Sequence, residues 1–165
     1  MERRLLTILA MDVVGYSRLM HHDEEVTLAE LMASRNLIEH NIGQFGGRVF
    51  GSSGDGFIAE FGSPVQAVRC ATAIQIELSE RAAARPGKRK MLFRCGLNLG
   101  DVIVKGDDLF GEGVNVAARL EALAEPGGIC ISQSVYEHTL GKVEAEFVGR
   151  MCCKLLTVDA HECFG

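Results

Sequence analysis

Hydrophobic and polar positions along the chain follow two periods, and each period predicts a different kind of element. The segment from Leu5 to Val14 is almost continuously apolar, which is typical of a buried strand. Apolar and polar residues alternate from Met91 to Leu99, and this period of two predicts a second strand. Gly100-Asp101 then predicts a turn into a further strand, Val102 to Val104. We expect these last two strands to pair in antiparallel fashion.

Apolar residues at helical spacing predict helices in other segments. A long amphipathic pattern runs from Glu24 to Phe45, as one helix or two, and Gly46-Gly47 ends it. Ser63 is a natural N-cap and Pro64 suits a first turn, so a second helix is expected to begin there. Two more helices are predicted at 114–124 and 135–140.

A β-hairpin is predicted from Arg48 to Phe61, because two apolar strands flank a turn rich in glycine and serine. Asp55 lies at the tip of this hairpin, and Asp12 ends the first strand of the chain. Each carboxylate has an ordinary explanation, since aspartate is common in turns and helix caps. Each could instead bind a cation, and the amides of Val14 to Ser17 could hold phosphate oxygens. The residues alone leave both interpretations open.

The remaining segments complete an α+β fold with one mainly antiparallel sheet flanked by helices. Ile129 to Ser132 is a predicted strand, and Glu146 to Val148 with Lys154 to Val158 is a predicted strand pair. The segment 105–113 is rich in glycine and charge and is expected to be irregular. With 165 residues, 47% of them hydrophobic, the whole chain 1–165 is expected to be a single domain.

Charge and composition exclude several classes of function. A formal net charge of -5 argues against a general nucleic-acid binder, which needs a basic surface. The first apolar run is too short to span a membrane, and no signal-peptide pattern is present. The six cysteines form no CxxC pair, which favours reduced thiols and a cytoplasmic location. His21 and His22 lack metal-ligand spacing and are interpreted as solvated loop residues.

Four short motifs, in this order along the chain, resemble the class III adenylate and guanylate cyclase catalytic domain, most closely its bacterial members. The resemblance implies a ferredoxin-like βαββαβ core with additional elements. It also implies a head-to-tail homodimer with shared active sites, which would convert ATP to 3',5'-cyclic AMP and pyrophosphate. The motifs are Asp12-Val13-Val14-Gly15-Tyr16-Ser17, Ser53-Gly54-Asp55-Gly56, Leu109-Phe110-Gly111 and Val114-Asn115-Val116-Ala117-Ala118-Arg119.

The resemblance also implies a role for individual residues. Asp12 and Asp55, with the carbonyl of Val13, would bind two Mg²⁺ or Mn²⁺ ions, which suit oxygen ligands. Arg119 would stabilise charge on the α-phosphate, and Asn115, four residues earlier on the same helical face, would orient the ribose. The substrate-binding residues would be Asp108 for the adenine amino group, Lys154 for the terminal phosphates, and Gly15, Tyr16 and Ser17.

Gly51 departs from the family pattern, because adenylate cyclases of this class usually carry a base-reading lysine at that position. The choice between ATP and GTP therefore stays open. So do two other functions: a catalytically degenerate cyclase-fold module that dimerises or senses nucleotide, and a ferredoxin-like RNA-binding domain, for which the chain offers few aromatic residues. A cyclase of this kind is also expected to have a regulatory domain or partner outside this chain.

Overall fold

A computed structural model describes residues 1–51, 56–85 and 89–144, together with the backbone of 147–149 and 153–156. Helices and strands are mixed along these ranges in an α+β pattern. In chain order the elements are β1 (Glu2–Val13), α1 (Tyr16–His22), α2 (Glu24–Gln44), β2 (Arg48–Phe50), β3 (Phe57–Phe61), α3 (Pro64–Ala83), β4 (Phe93–Lys105), β5 (Asp108–Phe110), α4 (Glu112–Leu123), β6 (Ile129–Ser132), α5 (Gln133–Thr139), β7 (Phe147–Gly149) and β8 (Cys153–Leu156).

The described strands form a single sheet in the order β2-β3-β1-β4-β6-β8-β7, and β5 pairs with β4 beside this path. Of these pairs, only β4 with β6 is parallel. α1 and α2 connect β1 to β2, and α3 connects β3 to β4, so these elements form a ferredoxin-like βαββαβ core. The predicted fold class is therefore confirmed, and β5, α4 and the elements after them are the additions.

The sheet has two differently covered faces, and β1 shows why. Leu9 and Met11 join a large apolar cluster with α2, α3 and α5 on what we call the first face. Ile8 and Ala10 point to the opposite side, the second face, where they pack with α4. A strand buried on both sides has no polar face, which explains the almost continuous apolar run in the sequence.

Side-chain caps fix where the two long helices begin. Asp23 accepts a hydrogen bond from the amide of Val26 at 3.1 Å, so α2 begins at Glu24 and continues unbroken for 21 residues. Ser63 accepts from the amide of Gln66 at 3.2 Å, and α3 begins at Pro64 as predicted. The prediction of α2 as one helix is the correct alternative.

The predicted turn at Gly100-Asp101 is wrong. β4 passes through both residues without a break, because β1 pairs with it along its length, including Leu6 with Gly100 and Leu5 with Asp101. The chain reverses later, where Gly106 has a φ of 61°. The segment 105–113 is therefore not wholly irregular, since it contains β5, paired with β4 through Leu109 and Val104.

Two further predictions are corrected or completed by the local structure. His21 and His22 lie in the last turn of α1 rather than in a loop, although both are exposed as expected. The predicted hairpin is confirmed by the antiparallel pairing of β2 with β3, in which Phe50 lies opposite Ile58. Its tip, residues 52–55, lies outside the described residues. No helix within the described ranges is both long enough and apolar enough to cross a membrane.

Candidate active site

The end of β1 places Asp12 on the second face, where it is partly exposed. Its direct neighbour across the ladder is Arg94 of β4, and such pairs have Cβ atoms about 4.5–5.5 Å apart. The guanidinium Nε of Arg94 is buried without a hydrogen-bond partner in the described part of the chain. A positive side chain therefore lies next to the proposed metal ligand, which offsets the cost of placing a carboxylate at the end of a buried strand.

The turn after β1 provides fewer phosphate-binding amides than predicted. The amide of Val14 donates a hydrogen bond to the carbonyl of Leu92 at 2.8 Å, so it is committed to the backbone. Gly15 has a left-handed φ of 64° and is the N-cap of α1, whose first amides lack partners within the helix. Tyr16 packs against the first-face cluster, whereas Ser17 is exposed. Only the amides after Val14 are left as candidates for phosphate binding.

Close contact between backbones fixes α4 on the second face. A Cβ on Gly96 of β4 would lie 2.3 Å from the carbonyl oxygen of Ala117 and from the amide nitrogen of Glu121. The buried side chain of Asn98 donates a hydrogen bond to the carbonyl of Gly113 at 3.1 Å. Because glycine is required at the contact and Asn98 holds the start of the helix, α4 has little freedom to shift along β4.

The exposed side of α4 carries Asn115 and Arg119, the two proposed catalytic residues. They are one helical turn apart, which confirms that they share a face. The guanidinium Nη2 of Arg119 lies 2.7 Å from Oε1 of Glu112, and about two-thirds of each of these side chains is exposed. Glu112 thus binds Arg119 in the single chain, a contact that the sequence analysis missed although the seven-residue spacing corresponds to about two helical turns.

The proposed base-binding positions lie on two separate hairpins. Asp108 begins β5 and is exposed. Gly51 follows β2 with a φ of 30°, and a Cβ built there meets no atom within 4 Å among the described residues. No described residue therefore fills the position of the missing lysine side chain, and glycine suits its left-handed backbone.

Two further predicted site residues are Lys154, for which the structure describes the backbone alone, and Asp55. Lys154 lies in β8, where its backbone pairs with Ile131 of β6 and Gly149 of β7, which agrees with the predicted strand pair. Its side chain, and the whole of Asp55, lie outside the described residues. Their proposed roles stay predictions.

The donor chemistry at Asp12 fits a hard divalent cation. Within the described ranges its carboxylate makes no hydrogen bond or ion pair, so its oxygens are available. Val13 lies beside it in β1 and is buried, and its backbone carbonyl is the other predicted ligand within the described ranges. No cluster of three or more histidine, cysteine or acidic residues that could hold a metal occurs in the described part of the chain. Asp12 and Val13 are thus the described part of the predicted ligand set.

Two cavities lined by described residues lie on the first face, and neither contains a predicted site residue. The larger one, about 610 Å³, is lined by Phe45, α3 and residues 141–144. Another of about 210 Å³ lies between α1, α2 and the segment before β4. Neither cavity brings together the groups that the chemistry needs, so the placement of the motif residues marks the candidate site.

Comparison with known proteins identifies the relatives of this chain. A family model described as the adenylate and guanylate cyclase catalytic domain matches residues 2–160. A Rhizobium meliloti protein named "Putative adenylate cyclase 3" is 49% identical over 148 residues, which cover 89% of this chain and 25% of that protein. The chain therefore spans about a quarter of the length of that relative.

Solved structures show the same fold. An adenylate/guanylate cyclase/hydrolase from Silicibacter pomeroyi superposes with a TM-score of 0.83 at 39% identity, covering 94% of this chain and 96% of that one. The adenylyl cyclase CyaB from P. aeruginosa superposes with a TM-score of 0.81 at 22% identity, covering 96% and 95% of the two chains. The second likeness supports the fold alone.

Proposed function

Because the chain belongs to the adenylate and guanylate cyclase catalytic domain family, we propose that it is an adenylate cyclase that makes 3',5'-cyclic AMP from ATP. One observation carries this proposal: elements that meet on the second face bear the motif residues, with Asp12 ending β1, Asp108 on β5, and Asn115 and Arg119 on α4. The identity of 49% to the Rhizobium protein, by its name, supports ATP as the substrate.

The reaction needs negative charge to be neutralised on both sides of the α-phosphorus. The ribose 3'-oxygen forms a bond to phosphorus and its proton passes to water, while the bond to the bridging oxygen breaks and pyrophosphate leaves with that electron pair. We propose Asp12, the carbonyl of Val13 and Asp55 as ligands for two Mg²⁺ or Mn²⁺ ions. When bound, these ions supply positive charge to the triphosphate and to the 3'-oxygen.

The residues of α4 act on the reacting phosphate and the sugar. Arg119 neutralises charge that develops on the α-phosphate, and Asn115 orients the ribose. Since Glu112 binds Arg119 at 2.7 Å in the single chain, an incoming phosphate exchanges one anionic partner of the guanidinium for another. Asp108 accepts from the adenine amino group, Lys154 binds the terminal phosphates, and the amides of Gly15 to Ser17 contact phosphate oxygens.

A homodimer completes each site in this proposal, with the aspartates of one subunit facing α4 and the base-binding hairpins of the other. Residues 1–165 would then act as one catalytic domain, in the cytoplasm. The location agrees with Cys70, Cys95 and Cys130, which are buried and form no disulfide in the described part of the chain. Regulation would come from a domain or partner outside this chain.

The activity test compares purified wild type with Arg119→Gln, using ATP and Mn²⁺ at a protein concentration where the chain is dimeric. Loss of a preorganised cationic donor should lower kcat by about a hundredfold to a thousandfold. Cyclic AMP is quantified by mass spectrometry. Arg69→Gln is the matched control, because Arg69 is an exposed arginine on a first-face helix whose Nη2 donates to the carbonyl of Lys142, and it should keep full activity.

A second candidate follows from the open space at Gly51, namely a cyclase-fold module that binds nucleotide or dimerises without turnover. A dimeric wild type that makes no cyclic nucleotide from ATP or GTP, yet binds either one with Mn²⁺, would favour this module over the enzyme. Asp12→Asn separates the metal role from a structural one. Equal metal-dependent nucleotide binding by the mutant and the wild type would mean that the carboxylate is not a metal ligand.

A further inference from the structure

An ion pair joins the two hairpins that carry the proposed base-binding positions. Nη2 of Arg48 on β2 lies 2.7 Å from Oδ1 of Asp107, which is 59 residues later, in the turn between β4 and β5. The guanidinium carbon of Arg48 also lies 4.7 Å from the centroid of the Phe50 ring, and Phe50 is buried. Arg48 is thus held by a carboxylate and by an aromatic ring that the protein core fixes in place.

The strand order shows that this ion pair connects two separated parts of the sheet. β3 and β1 lie between β2 and β4, so the β4–β5 hairpin must curl across the second face to bring Asp107 to Arg48. Leu109 and Val104 pack against the second-face cluster, which supports that course. β5 itself is short and pairs with β4 at three positions, so a contact at its turn matters for where the hairpin lies.

The ion pair contributes little to the free energy of unfolding, because 55% of the Arg48 side chain and 97% of the Asp107 side chain are exposed. Its consequence is geometric. Asp108 directly follows Asp107, with consecutive Cα atoms about 3.8 Å apart, and Gly51 follows Arg48 by three residues, about 10 Å at most. A contact that fixes Asp107 against Arg48 therefore also fixes Asp108 relative to the open position at Gly51.

We propose that the Arg48–Asp107 pair is a positioning device for purine selection, which compensates for the absent side chain at position 51. This inference rests on the proposed function, since it assigns Asp108 to the purine. In the family pattern, a lysine on the β2–β3 hairpin contacts the base. This chain has no side chain at that position, and Arg48 instead joins the β2–β3 hairpin to the β4–β5 hairpin. Asp108 then meets the nucleotide as a preorganised acceptor, and its selectivity depends on a residue that does not touch the base.

The test is a double-mutant cycle on nucleotide selectivity, with Arg48→Gln, Asp107→Asn and the double variant. The measured quantity is the ratio of kcat/KM for ATP to kcat/KM for GTP, with Mn²⁺. Each single change should lower the ratio by about fivefold to tenfold, and the double variant should be no worse than either, as for residues that act through one contact. Arg48→Lys should recover part of the ratio, and the exposed-arginine control Arg69→Gln should leave it unchanged.

Hydrogen exchange without nucleotide provides a readout that does not depend on catalysis. Amides of residues 108–110 should exchange faster in both single variants than in wild type, whereas α3 should be unaffected. Unchanged exchange in folded variants would overturn the inference, and so would an unchanged selectivity ratio in active ones. Additive losses in the double variant would mean that Arg48 and Asp107 act separately, which also contradicts it. A wild type inactive on both nucleotides overturns the proposed function and this inference together.

Discussion

The two faces of the sheet are built by different means. Among the described residues, the first face is covered by α2, α3 and α5 through a cluster of 22 buried apolar residues. The described part of the second face has a cluster of five around Ala117 of α4, and another of three around Leu120. Since burial of apolar area is the main source of folding free energy, the first face supplies most of the stability. The second face can therefore carry polar and charged residues.

The way the helices meet the sheet differs as well. The first-face helices meet the strands through buried side chains such as those of Ile38, Ile74 and Val135. On the second face, the backbone of α4 touches that of β4 at Gly96, and Asn98 adds a buried hydrogen bond to Gly113. A helix held by its own backbone presents Asn115 and Arg119 at a defined position. The first face determines whether the domain folds, and the second determines where its proposed catalytic residues lie.

The largest expected effect is the loss of a first-face side chain. Phe93 is fully buried, and its ring centroid lies 6.4 Å from that of Phe57. Phe93→Ala should reduce the free energy of unfolding by about 3–5 kcal/mol, because it leaves a cavity that close-packed neighbours only partly fill. Urea denaturation followed by circular dichroism measures this change.

The matched control is Phe110→Ala, since Phe110 of β5 is 51% exposed and its removal creates no cavity. Its expected cost is within about 0.5 kcal/mol. Equal losses of stability in the two variants would contradict the assignment of the first face as the main source of stability.

The hydrophobic pattern predicted most of this first face. α2 and α3 have caps and apolar stripes that are local in the sequence, and the buried strands have few polar residues, so both could be located without knowing the fold. The turn wrongly predicted at Gly100-Asp101 shows where local evidence fails. Gly100 looks like a turn residue, but it is a strand residue that lies close to Gly113 of α4, 13 positions later.

The candidate site was predictable where a motif is contiguous and not where it depends on packing. Asp12 and the Asn115–Arg119 pair were found from short motifs, and the structure places them as expected on a strand end and a helix face. Arg94 and Asn98 were missed, because their importance comes from a neighbouring strand and a helix terminus that the sequence does not bring together.

A smaller effect is expected from overfilling the second face. In Gly96→Ala the new methyl group would lie 2.3 Å from backbone atoms of Ala117 and Glu121, so α4 must move away from β4. We expect a loss of about 1–3 kcal/mol in the free energy of unfolding. The displaced helix should also lower cyclase activity. Per folded molecule, this loss should be far larger than the loss caused by Phe93→Ala.

Gly43→Ala is the control, because a Cβ there meets no atom within 4 Å among the described residues. Activity in Gly96→Ala equal to that of this control would contradict a positional role for the glycine contact.

The smallest expected effect is a loss of stability at high pH caused by the Cys70 thiol, and it tests how apolar the first face is. Burial raises the pKa of the Cys70 thiol from 9.0 to about 12, because the thiolate is disfavoured away from water. As the pH rises above 9, the unfolded chain loses this proton and the folded chain keeps it, so the folded state loses stability. The cost should reach about 1.4 kcal/mol near pH 10.

Other groups titrate in the same range, so the measurement is the difference in unfolding free energy between wild type and Cys70→Ala at pH 7.5 to 10. That difference should shift in favour of the variant as the pH rises, since alanine has no proton to lose. Parallel stability curves for the two proteins would show that the thiol titrates normally. Water would then reach the first face around α3, although Cys70 is completely buried there in the structure.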